Sequence, residues 1–575
     1  MKRWAFLSIL ISLSLAGCSG DDITIIERTD PDVNPDPDPT PVVIDESEDN
    51  IDNTTFDRSV YVTFSTSGEA TVTGLTDSLT AKVSGNGVTI TNIGSEKVEY
   101  HLSGTTTDGY FKIYSARKQA IVLDTVSITN KKGAAINNQG KKRCFIVVNG
   151  ANTLSDAASY SATPDEEDEK AALFSEGQLI FSGKGSLEVN AKGKAGITSD
   201  DYVRVMSSPS ITVTSSAGHG IRGKKAVIIS DGTVNVTATA NMKKGFSSDS
   251  LVQVTGGNTT IKVTGSAAYD SEERDYNGTA GIKADQQFLM SGGKVSITNS
   301  GTGGKGIHVG SGEKIELPVS EITGGELTIS ATGANYTKGD ISSKGIKIGW
   351  AVKKNNQYTS FSGDLKISGG KVNVTSSNSE AIEVKREIGI SGGEVYAFSP
   401  AEDAVNCGST FTISGGYVCG ISYGNDGLDA NGNFYIKGGV VYAVGKNDPE
   451  MAIDANTEGG FKLYVEGGTL FTIGGLERGA SLSQSCYSAS SWSRDTWYSM
   501  TVGDKTFAFK TPTSGGSNLV VSGSAKPTLK SGAKVEGGTS RCGGVISEAP
   551  TVSGGSSVSL STYTGNSGGP GPGWH

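Results

Sequence analysis

Short runs in which apolar and polar residues alternate fill most of this chain, and the runs recur at a regular step. Ile390-Ser391-Gly392-Gly393 returns as Ile413-Ser414-Gly415-Gly416 and again as Ile436-Lys437-Gly438-Gly439, each time 23 residues on. A second motif, Gly or Ala followed by a large apolar residue, starts at Gly196, Gly220, Gly245, Gly281, Gly306, Gly345, Ala381, Ala404, Gly427 and Ala452. Weaker copies stand at Ala135-Ile136 and Ala172-Leu173. Alternation at period two predicts strands, three per repeat, and no long segment carries a helical period. Strand repeats of this length predict an all-β solenoid, a right-handed parallel β-helix. About twelve coils stacked roughly 4.8 Å apart would form a rod on the order of 60 Å long.

Alternation also assigns faces, because successive side chains of a strand point to opposite sides. Ile197, Ile221, Ile282, Ile307, Ile346, Ile382, Val405, Leu428 and Ile453 are expected inside, with Cys407 as a small core thiol. Outward positions change sign along the sequence. Arg222, Lys283, His308 and Lys347 mark a basic stretch, followed by Glu380, Glu383, Asp403, Asp426, Asp429 and Asp454. Like charges about 5 Å apart repel by roughly 3 kcal/mol at an effective dielectric near 20. A hard cation with oxygen ligands would remove that repulsion, which makes the acidic ladder a candidate Ca²⁺ site. A solvated acidic edge is the alternative. Asp165, Glu166, Glu167 and Asp168 form a second candidate, with Asp200 and Asp201 a weaker third.

A further outward strip turns apolar from the repeat at Glu394, with Tyr396 and Tyr442 on it. Such rings can stack on sugars, or residues 477–575 can pack over them, since a large apolar patch is seldom left bare. The basic stretch can meet the carboxylates of an acidic polysaccharide or simply balance the acidic repeats.

Glycine accounts for 80 of 575 residues and the net charge is -10, which suits turns and strands and argues against a nucleic-acid partner. Lys2 and Arg3 precede an apolar run that closes with Leu15-Ala16-Gly17-Cys18, which resembles a bacterial lipobox. By that resemblance residues 1–17 are a signal peptide and Cys18 is lipidated, which implies an outer-membrane, surface-exposed protein held by its lipid alone. Alternating Pro and Asp make residues 18–55 an extended acidic spacer. The repeats occupy 56–476, and 477–575 form a C-terminal β region with a Gly/Pro tail from about 566. Of the five later cysteines, Cys486 and Cys542 are the pair expected to bridge, and no zinc-like spacing occurs.

"LDTVSITNKKGAAI" (123–136), "DEEDEKAALFSEGQLIFSGKGSLEV" (165–189), "GHGIRGKKAVIISDGTVNVTA" (218–238) and "NDGLDANGNFYIKGG" (425–439) resemble segments of the β-helical carbohydrate-binding proteins of polysaccharide-degrading bacteria. The resemblance runs from about residue 80 to 475 and implies a pectate-lyase-like shape, polysaccharide binding and calcium, without established lyase activity. The expected function is a surface lipoprotein that captures polysaccharide, alongside other glycan-utilisation proteins. A calcium-dependent lyase is the first alternative, with Lys385 or Arg386 as the base. A non-glycan adhesin or surface rod is the second.

Overall fold

The computed structural model describes residues 46–565 except 162, 164–166, 312–315, 355–356 and 448. Cys18, the signal-like segment and most of the expected spacer lie outside the described residues, as do Asp165 and Glu166.

The protein is all-β, dominated by long parallel ladders. The strands that carry the Gly/Ala motif belong to a single sheet of 14 strands, which runs from Leu79–Ser84 to Leu428–Ala430. This motif ladder is parallel after its first pair. A second ladder runs from Cys144–Asn149 to Leu463–Val465, and a third from Ala151–Ser155 to Thr469–Ile473. Both start on the long strand Gln119–Thr129, which pairs with the first strand of each.

The motif follows from packing between ladders. A Cβ added to Gly196, Gly220 or Gly281 would stand 2.2 Å from a branch methyl of Val213, Val236 or Ile297 on the third strand of the same repeat. Later repeats carry Ala381 and Ala404 instead, and their third strands carry Ala397 and Gly420 in register with Val374. The small residue moves from one wall to the other, so the space between the walls stays filled. The large residue that follows is buried in every motif strand from Ile197 to Ile453, including Phe246. At the turns, Gly370, Gly393, Gly416 and Gly439 take φ between 75° and 82°, which an L side chain resists.

The segment that follows the ladders covers the apolar strip on the third ladder. Leu519–Ser522 runs antiparallel to Thr469–Ile473, and a six-stranded sheet packs alongside. Tyr442 and Phe471 are buried beneath it, with Phe509 at centroid distances of 5.8 and 4.6 Å, and the Tyr442 hydroxyl donates to the Lys510 carbonyl at 2.9 Å. Tyr442 therefore has no open face for a sugar, and Tyr396 is half-buried against the same cluster. The disulfide also differs from expectation. Cys542 bonds Cys419, clamping this region to the third ladder, while Cys486 is a buried free thiol. The separation along the sequence is 123 residues, which no spacing rule reveals.

The N-terminal arm corrects the expected spacer. Glu46–Asp49 is helical and docks on the second ladder. The Asp49 carboxylate is buried and accepts from Arg143 Nε at 2.8 Å, Arg204 Nη1 at 3.0 Å and the Tyr202 hydroxyl at 2.5 Å. Ile51 and Phe56 pack on the apolar group formed by Phe145, Ile180 and Ile228. Residues 46–56 thus belong to the folded body, because an acidic residue found two arginines and a tyrosine that sequence distance concealed.

Candidate functional site

Two columns of polar side chains flank the buried aliphatic column of the motif ladder. One runs Lys283, His308, Lys347, Glu383, Asn406, Asp429 in direct register. The other, three residues earlier, runs Lys305, Lys344, Glu380, Asp403, Asp426. The sign change expected from the sequence is real, but most of these groups are buried rather than solvated. Lys305, Lys344, Lys347, Glu380, Glu383, Asp403 and Asp426 are all buried.

Where the columns change sign, the protein neutralises itself. Lys344, with no side-chain exposure, places Nζ 2.8 Å from Glu383 Oε2 and 3.3 Å from Glu380. Lys385 also pairs with Glu383. Burial alone would raise the Glu383 pKa, but Lys344, Lys385 and Lys347 outweigh it and hold the carboxyl below its ordinary value. Glu380 and Glu383 are therefore removed from the expected metal set. Their charges are already matched.

One repeat further on, the matching cation disappears. Asp403 and Asp426 are buried and Asp429 and Asp454 half-buried, and among the described residues none of the four forms an ion pair with lysine or arginine. Carboxylate oxygens of Asp426, Asp429 and Asp454 lie within 4.8 Å of one another. Asn406 bridges the group, donating to Asp403 Oδ2 at 2.9 Å and Asp429 Oδ2 at 2.8 Å. The Met451 amide donates to Asp426 Oδ1. Burial, followed by neighbouring carboxylates, pushes the Asp426 pKa up to about 8. Burial takes Asp429 to about 7, and Asp403 and Asp454 are raised as well, with burial the leading cause for both. Glu450 and Glu477 add further negative charge nearby. An all-oxygen set gathered from successive repeats, short of positive charge, fits Ca²⁺.

The other acidic candidates fare differently. Glu167 receives hydrogen bonds from Lys112 and from the Tyr114 hydroxyl, the latter at 2.7 Å. Asp168 does lie near Glu176 and Asp200, but Lys170 sits 2.7 Å from both aspartates and supplies their counter-charge. Asp201 is paired with Lys225 at 3.0 Å.

The basic stretch is also engaged internally. Arg222 Nη2 contacts both oxygens of Asp249, at 2.7 and 2.9 Å, and Lys283 pairs with Asp285 at 2.7 Å. Lys347 is buried and His308 half-buried. These four expected ligand contacts do not form a free basic strip. The two lyase bases are likewise committed. Burial lowers the Lys385 pKa but Glu383 more than offsets it, leaving the ammonium protonated. Arg386 holds Asp364 through two bonds of 2.7 and 2.6 Å, and that pairing raises its pKa. Both are held in ion pairs with carboxylates of the protein itself.

Sequence reasoning missed Lys344 as a partner and Asn406 as the bridge. Asn406 carried a legible signal, since it falls between Glu383 and Asp429 at the same 23-residue step. Glu477 carried the same signal, since it stands 23 residues after Asp454 and directly after Leu476, which is in register with Ile453.

Comparison with known proteins finds similarity over part of the chain. A family model described as "carbohydrate-binding domain-containing protein" matches residues 84–249. A curated protein of that description from Acetivibrio thermocellus is 31% identical over 201 residues. The match covers 34% of this chain and 59% of the relative's length. A solved structure, of the polysaccharide lyase-like protein from C. thermocellum as a gadolinium derivative, aligns over 62% of this chain and 96% of its own. Its identity is 20% and its TM-score 0.29, which adds nothing to the fold read from the ladders. The family match ends before the sign change, so the acidic cluster lies in repeats beyond it.

Proposed function

We propose that this protein is a cell-surface lipoprotein that captures polysaccharide, and that Ca²⁺ held by Asp426, Asp429 and Asp454, with Asp403 beside them, stiffens its later repeats. The carbohydrate-binding match over residues 84–249 is the observation that carries the reading. In this proposal the three parallel ladders wind as the faces of a right-handed β-helix, and Cys18 anchors it to the outer membrane beside other glycan-utilisation proteins. Bound calcium would supply charge neutralisation across neighbouring repeats. The protein's own part is to present oxygens at fixed steps, with Asn406 orienting two of them.

Retention of the full-length protein on polygalacturonate and on cellulose, with and without EDTA, tests the proposal while absorbance near 235 nm is followed. Retention without an absorbance rise is expected, weakened by EDTA. A steady rise would mean unsaturated product and a lyase. No retention on either glycan would leave an adhesin or surface rod.

A further inference from the structure

The outward face of the second ladder changes character along its length. Its first repeats present Phe145, Ile180 and Ile228, and the N-terminal arm covers them. Its later repeats present Glu321, Lys366, Gly389, Thr412, Tyr435 and Tyr464, aligned in direct register. Among the described residues nothing in the C-terminal region covers these: Lys366 is exposed and Thr412, Tyr435 and Tyr464 are half-exposed. The surface dips here into a shallow groove of about 380 Å³.

Four features of the groove point to a ligand. Gly389 forms its floor without any backbone need for glycine. A Cβ there would meet only Lys366 Cγ, at 3.8 Å, whereas the glycines of the turns are pressed against backbone. Beside the floor, Thr323, Ser368, Ser391 and Ser414 present exposed hydroxyls, one per repeat. Ladder steps of about 4.8 Å are close to the length of one sugar in an extended polymer. At the end nearer the C-terminus stand Tyr435 and Tyr464, stacked at 4.8 Å with 10° between planes, and Lys437 Nζ is 5.0 Å from the Tyr435 centroid. Lys366 faces Glu321 across the ladder yet forms no ion pair among the described residues, so its ammonium is available to a ligand.

We infer that this groove is the glycan-binding site, and that its ligand is a linear pyranose polysaccharide. One sugar meets the Tyr435–Tyr464 wall, where an aromatic ring suits the apolar face of a pyranose. Successive sugars follow the hydroxyl row, and a carboxylate or hydroxyl of the glycan meets Lys366. A mostly open trough with few convergent polar groups suits an extended polymer better than a small molecule. The inference rests on the carbohydrate-binding reading above and gives that reading a location.

Titration calorimetry of the full-length protein with hexagalacturonate and with cellohexaose tests it. Gly389→Leu fills the floor, and its circular dichroism spectrum and melting curve check that it folds. We expect about tenfold weaker binding for Gly389→Leu and for Tyr435→Ala, the scale of losing a well-packed contact. Tyr269→Ala, at an exposed ring remote from the groove in the ladder order, should bind unchanged. Lys366→Gln weakening only hexagalacturonate would assign the uronate carboxylate to Lys366, and equal weakening of both probes would assign a hydroxyl. Wild-type binding that survives unchanged in Gly389→Leu and Tyr435→Ala overturns the groove while leaving the carbohydrate reading intact. Failure of the wild-type protein to bind either probe overturns both.

Discussion

Glu383 and Asp429 stand two steps apart in one column of the motif ladder, with Asn406 between them. Glu383 is wrapped by Lys344 and Lys385, both drawn from its own neighbourhood in the repeats. Asp429 has Asp403, Asp426 and Asp454 as neighbours and only Asn406 as a donor from its column. The backbone is the same, and the step is the same. The difference teaches that a ladder can bury carboxylates beside a counter-charge of its own or gather them without one, and under the calcium proposal the supplier changes from the protein to the solution.

The largest effect should come from breaking the self-sufficient side. Lys344→Met leaves Glu380 and Glu383 buried without their shared cation and should cost about 3–5 kcal/mol, measured by chemical denaturation. On the other side, under the calcium proposal, removing the ion would be the equivalent injury. At calcium a hundredfold above its dissociation constant, chelation should lower stability by about 2.7 kcal/mol, and Asp429→Asn with Asp454→Asn should abolish that response. An unchanged melting temperature on adding EDTA would end the calcium proposal.

Acidity should separate the two sides by sign. Asp426 and Asp429 are raised, to about 8 and about 7, so the folded, calcium-free protein holds protons that the unfolded polypeptide has released. Their contribution is full below the unfolded carboxylate pKa and falls as pH rises to about 8, by up to about 1.4 kcal/mol per pH unit for each proton. Glu383 is lowered, so its contribution is present above the unfolded pKa and is lost as pH falls below it. Urea titrations in EDTA from pH 4 to 8 should show stability declining. Calcium should flatten that slope, and the cost of Lys344→Met should be largest near neutral pH and shrink as pH falls below the unfolded carboxylate pKa. Smallest of all, Asp168→Asn touches a surface trio that already holds Lys170, and should shift stability by under about 1 kcal/mol with or without EDTA.

Much of the fold was legible because it is written at period two and repeated. The inward column from Ile197 to Ile453 and the glycine turns needed only alternation and spacing to find. The sign change along the columns was legible for the same reason. Burial was not: an outward position on one strand is open only if no neighbouring loop closes over it, and loops of unequal length obey no period. Thus Glu380 and Lys344 read as surface charges although they form a buried pair. Cys419 with Cys542 and Asp49 with Arg204 were illegible for a related reason, since each joins a repeat to a segment outside the repeats. Tyr442 was read correctly as apolar and outward, yet the covering sheet that decides its role lies in residues 497–558.

The docked arm has a mechanical side. The strand Arg58–Phe64 lies at the start of its sheet, where a pull along the backbone would open hydrogen bonds one after another, as a zipper opens. Asp49 intercepts such a pull before it arrives. Through Arg143 and Arg204 the load passes to strands inside the second ladder, where several rows of bonds must yield together. A tensile force on the leading segment is thereby spread as shear over the interior of the sheet, and its weakest edge is spared.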